Sequence, residues 1–551
     1  MKQAICTGVS FLTLLCMADA ATAKTCEDAL SNAQAVPGLV INEAVATPST
    51  EGIPVAHCLI RGSTPERKGV DGKTYSIRFE IRLPNQWNGS MVHQFNGGND
   101  GVVVPALGRL MGGDKKQNAL TRGFAVISSN AGHDGEAYPE KGIAGGAAFG
   151  LDPEARLDYG YKAVATLQPL ARAFIEKYYG KAVVHAYGVG GSNGGRHALM
   201  AASRMPDAFD GLLVGYPGFN LPKAAIQHAW DVQAWQSVNA DLAKAFSRQD
   251  MELLAGAILS TCDTLDGVED GLVSDADSCE AKFDPRTLQC KQEGTSGCLS
   301  EKQVAAVIKS HQGPVNSKGE ALYSRWTWDP GMASMNWRTW KLESPVEAWG
   351  KRPIISVMGA ASLAQIFTTP PVPVGGTPDD LVEFLAKFDF DKDAPKIFAT
   401  SGKFKESAAE FMIPPSSDNP KLEAFRDAGN KMIVFHGEAD PVFSVVDTIN
   451  WYRKLNVNNA NTASDFVRLY RIPGMPHGAG GPSFDDFDFF SPLVAWVEKG
   501  EAPQAVSAGI SSENKEAGKL VGTKTIYCPY PQIAKASGIA DAKDDARYRC
   551  E

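Results

Sequence analysis

Val184-His185-Ala186-Tyr187-Gly188-Val189-Gly190-Gly191-Ser192-Asn193-Gly194-Gly195-Arg196 is the stretch on which the fold turns. It sets Gly190-x-Ser192-x-Gly194 between a β-rich run at 182–187 and a helical run at 194–203. A serine on a tight strand-to-helix turn stands exposed to an incoming carbonyl group. Flanking glycines relieve the crowding there, and the helix N-terminus favours developing negative charge. In a chain with 54 glycines the five-residue pattern alone carries little, and the strand–turn–helix context is what lifts it above chance. A phosphate-cradling loop would need a Lys followed by Ser or Thr, and neither stands here.

Working outward, strands and helices alternate. Residues 90–95 form a strand-like run ending in Asn96-Gly97-Gly98-Asn99-Asp100-Gly101, and 124–128 form a second. Tyr161, Val164, Leu167, Leu170 and Phe174 recur at helical spacing within 157–179. Residues 211–214, 432–436 and 466–470 read as further strands and 492–498 as a closing helix. This alternation predicts an α/β fold, a parallel sheet wrapped by helices. Between 220 and 420 it breaks, and four cysteines, an acidic cluster, several tryptophans and Pro370-Pro371-Val372-Pro373 crowd together. That composition predicts a lid inserted over the sheet. The expected organisation is a leader at 1–23, a core at 24–219 and 421–551, and a lid at 220–420.

A serine nucleophile needs a base and an acid to orient it, and on this fold they follow in the order Ser, Asp, His. Asp440 lies in His436-Gly437-Glu438-Ala439-Asp440-Pro441 and His477 in Pro473-Gly474-Met475-Pro476-His477-Gly478, each just past a predicted strand. Singly, each reads as a loop residue. Together and in order they make Ser192, Asp440 and His477 the expected catalytic triad. The expected oxyanion donors are the backbone N–H of Asn193 and one from the loop after the 90–95 strand, with Gly98 preferred and Gly97 close behind.

Cys262-Asp263-Thr264-Leu265-Asp266-Gly267-Val268-Glu269-Asp270-Gly271-Leu272-Val273 is a second signal. Aspartates interleaved with glycines turn the chain around a hard cation, so Ca²⁺ is expected on Asp263, Asp266 and Asp270 with the carbonyls of Val268 and Leu272. The spacing is not that of an EF-hand.

The N-terminus reads as an export leader. Lys2 precedes an apolar stretch at 5–17, and Ala21-Thr22-Ala23 suits cleavage. The apolar run is too short to anchor a membrane, so a secreted or periplasmic location is expected. Past the leader stand Cys26, Cys58, Cys262, Cys279, Cys290, Cys298, Cys528 and Cys550, an even set that suits disulfides. Pairing of sequence neighbours is the simplest arrangement, though spacing leaves others open. The net charge of -9 offers no case for nucleic acid or an anionic membrane as partner. A small-molecule ester is the expected ligand.

These residues resemble the tannase and feruloyl esterase family, which also contains mono(hydroxyethyl) terephthalate hydrolases. The resemblance rests on 123–133, 190–196, the loop at 263–272, Cys290 with Cys298-Leu299, 436–441, 474–477, Trp496-Val497-Glu498-Lys499-Gly500-Glu501-Ala502-Pro503 and Cys528-Pro529-Tyr530-Pro531. It implies an α/β-hydrolase core with a lid, a lid-bound calcium ion, the same triad, and the disulfides 26–58, 262–279, 290–298 and 528–550. It also implies a serine-dependent ester hydrolase acting on esters of aromatic acids. One departure stands out: where the family has a cysteine before the nucleophile and another after the histidine, this chain has Gly191 and Gly478. His477 is therefore expected to be held only by loop packing and by Asp440.

Trp326, Trp328, Trp337, Trp340 and Trp349 are candidates for an aromatic pocket, with the lid's own core the better reading for most of them. Arg325, Arg338 and Arg352 are candidate clamps for a substrate carboxylate. The same triad also serves amidases and acyltransferases, and a non-catalytic, calcium-stabilised binding protein is the alternative from another class.

Overall fold

The computed structural model describes residues 26, 36–112, 117–292, 295–538 and 544–551; the expected leader at 1–23 lies outside them. Its centre is a nine-stranded sheet. In chain order the strands are β1 Val40–Thr47, β2 His57–Ser63, β3 Arg78–Pro84, β4 Met91–Gln94, β5 Ala125–Ser129, β6 Ala186–Gly191, β7 Gly211–Gly215, β8 Lys431–Gly437 and β9 Val467–Ile472. Their spatial order is β1-β2-β3-β5-β4-β6-β7-β8-β9. The first three strands and the β3–β5 pair run antiparallel, and every pair from β5 to β9 is parallel. The carboxyl ends of β4, β6, β7, β8 and β9 therefore open on one edge, where sheets of this type bind ligands.

The parallel strands read as continuous apolar runs because both faces are covered. Met91, Ile127, Leu212 and Val434 belong to one buried cluster, while Val92, Val126, Leu213 and Phe435 belong to the other. The first face packs on α1 Ala163–Tyr179, α2 Asn193–Arg204 and, beyond the inserted region, α7 Val445–Asn458; Phe174, Ala198 and Leu455 are among the contacts. The second face is closed by α8 Phe490–Lys499 through Phe490, Leu493 and Trp496.

Among the described residues no sheet strand falls between Gly215 and Lys431. That interval carries helices, the longest being α3 Leu221–Gln236, α4 Arg248–Cys262, α5 Glu301–Gln312 and α6 Pro378–Ala386. Trp235, Phe246, Trp337 and Leu363 from this region share one continuous hydrophobic cluster with the sheet. The inserted residues are thus packed into the core by the burial of apolar surface.

Two expected elements are displaced. The strand expected at 182–187 lies at Ala186–Gly191, and Val184 is 63% exposed. The sheet accepts the glycines because Phe95 packs across them: a Cβ on Gly188 would meet its ring at 2.7 Å. The helix expected at 157–179 is divided into Pro153–Leu157, a π-turn at Asp158–Lys162 and α1. The carbonyls of Tyr159 and Gly160 in that turn accept hydrogen bonds from the buried Arg196 guanidinium at 2.9 and 2.7 Å.

Disulfides join Cys26 to Cys58, Cys262 to Cys279, Cys290 to Cys298 and Cys528 to Cys550, the neighbour pairing expected. No helix among the described residues is long and apolar enough to cross a membrane.

Candidate active site

Ser192 stands between β6 and α2 with φ 62° and ψ −126°, a strained conformation for a non-glycine residue. Its glycines are obligatory here. A Cβ on Gly190 would lie 2.6 Å from the Gly194 carbonyl carbon, and one on Gly194 would lie 2.5 Å from the Phe95 carbonyl oxygen. The turn is pinned to β7, since the Ser192 amide donates to the Gly215 carbonyl at 3.0 Å.

Strands β8 and β9 deliver the other two residues. With its proton on Nδ1, His477 donates to Asp440 Oδ2 at 2.8 Å, and its Nε2 accepts from the Ser192 hydroxyl at 2.9 Å. Asp440 is buried, and Oδ1 accepts the amides of Val442 at 2.7 Å and Phe443 at 3.1 Å. Burial alone would raise its pKa. The facing His477, with hydrogen bonds from His436 and His477, outweighs burial and holds the carboxyl below the ordinary range.

The three residues sequence reasoning selected for a triad are thus hydrogen-bonded in series. His477 also has more support than expected. Its ring meets the edges or faces of Tyr216, Trp340 and Phe443 at 4.9, 5.1 and 5.5 Å, and its carbonyl accepts from Asn336 Nδ2 at 3.2 Å. The loop before it is tied to the inserted region, because buried Asp329 accepts the amide of Gly474 at 3.0 Å and that of Gly331 at 2.7 Å. The expectation of loop packing and Asp440 alone is corrected accordingly.

Ser192 opens into a cavity of about 610 Å³ lined by Gly97, Gly98, Arg109, Met111, Tyr216, Trp340, Trp349, Ile354, Met358 and His477. Gly97 sits beside Ser192, its Cβ position 3.8 Å from Ser192 Cβ. Gly98 has φ 62°, and its carbonyl accepts from Tyr159 Oη at 3.1 Å. Asn193 places its side chain on Asp100 Oδ2 at 2.8 Å, and His197 Nε2 lies 3.0 Å from the same oxygen. This buried network fastens the Gly97–Gly98 loop to the start of α2.

Of the five tryptophans, Trp340 and Trp349 line the cavity, whereas Trp328 and Trp337 are buried in the main core and Trp326 packs by Tyr323. None of the three candidate arginines lines the cavity. Arg325 pairs with Glu280, Arg338 with Glu343 and Arg352 with Asp379. Arg109, Met111, Tyr216, Met358 and Asp329 went unnoticed in the sequence, where no motif marks them.

In the acidic loop, Asp263 Oδ1 accepts the amides of Asp270 and Gly271 at 3.0 and 3.1 Å, while Asp270 accepts Leu272 N–H and Tyr548 Oη–H. Asp266 accepts Val268 N–H through Oδ1, and its buried Oδ2 has no partner. Burial and the neighbouring Asp270 and Asp263 push Asp266 up to about 6. Among the described residues no three acidic, histidine or cysteine side chains are already gathered as a metal would hold them.

The family described as tannase and feruloyl esterase matches residues 60–551. A mono(2-hydroxyethyl) terephthalate hydrolase of Piscinibacter sakaiensis is 40% identical over 531 residues, covering 92% of this chain and 86% of that protein. A probable feruloyl esterase of Arthroderma benhamiae is 28% identical, covering 88% and 84%. Feruloyl esterase B from Aspergillus oryzae has the same fold, with a TM-score of 0.68 at 20% identity over 96% of this chain and 100% of that one.

Proposed function

The chain belongs to the tannase and feruloyl esterase family of carboxylic ester hydrolases, and from that premise we propose that it cleaves esters of aromatic acids with Ser192 as nucleophile, His477 as base and Asp440 as the orienting acid. The observation that carries the roles is the continuous Ser192–His477–Asp440 hydrogen-bond series at the edge of the cavity. The aromatic preference is supported by Trp340, Trp349 and Met358, which offer an apolar slot beside the nucleophile, and by the name of the relative at 40% identity.

The reaction runs in two halves. Ser192 Oγ attacks the ester carbonyl carbon while its proton passes to His477 Nε2. Asp440 keeps the imidazole in the working tautomer and stabilises the imidazolium. The N–H groups of Asn193 and of Gly98 or Gly97 serve the oxyanion. As the tetrahedral intermediate collapses, His477 returns the proton to the departing alcohol. Water then attacks the acyl-serine with His477 again as base, and the acid leaves.

Residues 220–420 act in this reading as a fixed lid that walls the acyl slot. We propose Ca²⁺ for the 263–272 loop: its donors are all oxygen, as a hard cation prefers, and the buried Asp266 Oδ2 has no hydrogen-bond partner. Asp263, Asp266, Asp270 and the carbonyls of Val268 and Leu272 would hold it, and its contribution would be to order the lid. The four disulfides fit an exported protein.

The test is a comparison of kcat/KM for methyl ferulate, methyl gallate and mono(2-hydroxyethyl) terephthalate against ethyl acetate. A preference of about tenfold or more for at least one aromatic ester is expected. Equal turnover of all four would reject the aromatic assignment, and transfer to added alcohol in place of water would recast the enzyme as an acyltransferase.

A further inference from the structure

Tyr216 follows β7 directly and holds φ 32°, within the left-handed region that disfavours a bulky residue. Its amide donates to the Phe435 carbonyl on β8 at 2.6 Å, which fixes the strained residue in place. The ring lies between Gly191, the residue before the nucleophile, and Gly478, the residue after the base. A Cβ on Gly191 would stand 2.4 Å from Tyr216 Cζ and Oη, and one on Gly478 would stand 3.1 Å from the same atoms. Two glycines thus yield their side-chain space to one phenol. Met111 closes the other side, 2.8 Å from the Gly191 Cβ position.

Three rings surround His477, but they are anchored differently. Trp340 comes from the inserted region and Phe443 from the loop that carries Asp440. Tyr216 alone of the three sits on the segment bonded to the nucleophile turn, where Ser192 N donates to Gly215 O and Gly218 N donates to Ser192 O. A displacement of the Tyr216 ring would therefore change the position of the base relative to the nucleophile. Tyr216 and His477 also line both the main cavity and an adjoining one of about 430 Å³. Burial, with the charge of Asp440, pushes the phenol up to about 12, so it stays neutral near pH 7.

We propose that Tyr216 is a positioning residue whose ring, seated in the space left by Gly191 and Gly478, holds His477 against Ser192 as a packed, non-covalent tie between the nucleophile turn and the base loop. The proposal rests on the Ser192–His477–Asp440 reading, and it places the effect in the ring and not in the hydroxyl.

The test measures kcat, KM and thermal midpoint for Y216F, Y216L and Y216A on a small ester with p-nitrophenol as leaving group, beside wild type and S192A. Misplacement of a base by about 1 Å costs on the order of 100-fold, so kcat in Y216A is expected to fall by at least about tenfold with KM changed less than about threefold. Y216F should retain at least about half of wild-type kcat. Y216L, of similar volume, should fold and show an intermediate loss, which covers the case that Y216A does not fold. An unchanged kcat with raised KM in Y216L or Y216A would make Tyr216 a mere cavity wall and overturn the proposal. Equal loss in Y216F and Y216L would assign the effect to the hydroxyl and overturn it as well. Inactive wild type, or active S192A, would instead strike the underlying triad reading.

Discussion

His477 Nδ1 stands 2.8 Å from Asp440 Oδ2, and His436 Nε2 approaches the same oxygen at 3.4 Å. With two amides on its other oxygen, Asp440 is fully engaged and its pKa is depressed. A carboxyl held lower in the folded state than its unfolded value of about 3.9 stays ionised above that value, and its stabilisation is lost only as pH falls through the folded pKa. The acid limb of the activity profile should therefore not be that of Asp440. D440N keeps the shape but favours the wrong imidazole tautomer, so kcat is expected to fall by about 10⁴-fold. A loss under tenfold would deny Asp440 its role.

Trp349 lines the cavity without touching His477 in the way Trp340 does. W349A should raise KM for aromatic-acid esters by about tenfold, the worth of a partly lost apolar contact, and leave acetate esters within about twofold. A uniform loss across both substrates would mean that Trp349 only supports the lid.

Asp329 and Asp158 are raised by burial to about 7 and Asp447 to about 6. Between pH 4 and 7 these three carboxyls consequently hold more protons in the folded state than in the unfolded chain, where aspartates titrate near 3.9, so they make their own contribution to stability fall as pH rises through that window. Each contributes up to ~1.4 kcal/mol per pH unit while it titrates. The difference between the wild-type and D329N thermal midpoints should therefore shift against wild type as pH rises from 5 to 8. An identical slope in D329N would refute the assignment to Asp329.

Ser192, Asp440 and His477 were legible because each lies within a few residues of a strand's end, and the backbone that exposes them is written in local residue types: Gly190 and Gly194 around Ser192, and Gly474 before His477. Tyr216 was not. Its contact with Gly191 follows from the pairing of Gly191 with Gly215 in adjacent strands, a register no single stretch of sequence encodes. Likewise Trp340 and Trp337 are three residues apart on one short helix, and only the docking of that helix decides that one faces the cavity and the other the core. The strand at Ala186–Gly191 lies beyond the run its sequence predicts because its glycines suit a turn, and only the packing of Phe95 against Gly188 and Gly190 makes them strand.

If the 263–272 loop holds Ca²⁺, chelation should lower the thermal midpoint by several degrees and calcium, but not magnesium, should restore it. A free concentration about 100 times Kd stabilises by ~2.7 kcal/mol. In D266N, which removes the charge at the orphan oxygen, the calcium-dependent difference should shrink or vanish. A midpoint indifferent to chelator in wild type would contradict the assignment.

The most direct measurement of the central claim is intact-protein and peptide mass spectrometry after acid quench of the enzyme with an ester of p-nitrophenol. Catalysis through Ser192 predicts an adduct of the acyl mass on the peptide carrying Ser192, with a burst of p-nitrophenol when deacylation is the slower half, and neither in S192A. An acyl adduct on another residue, or full turnover by S192A, would contradict it.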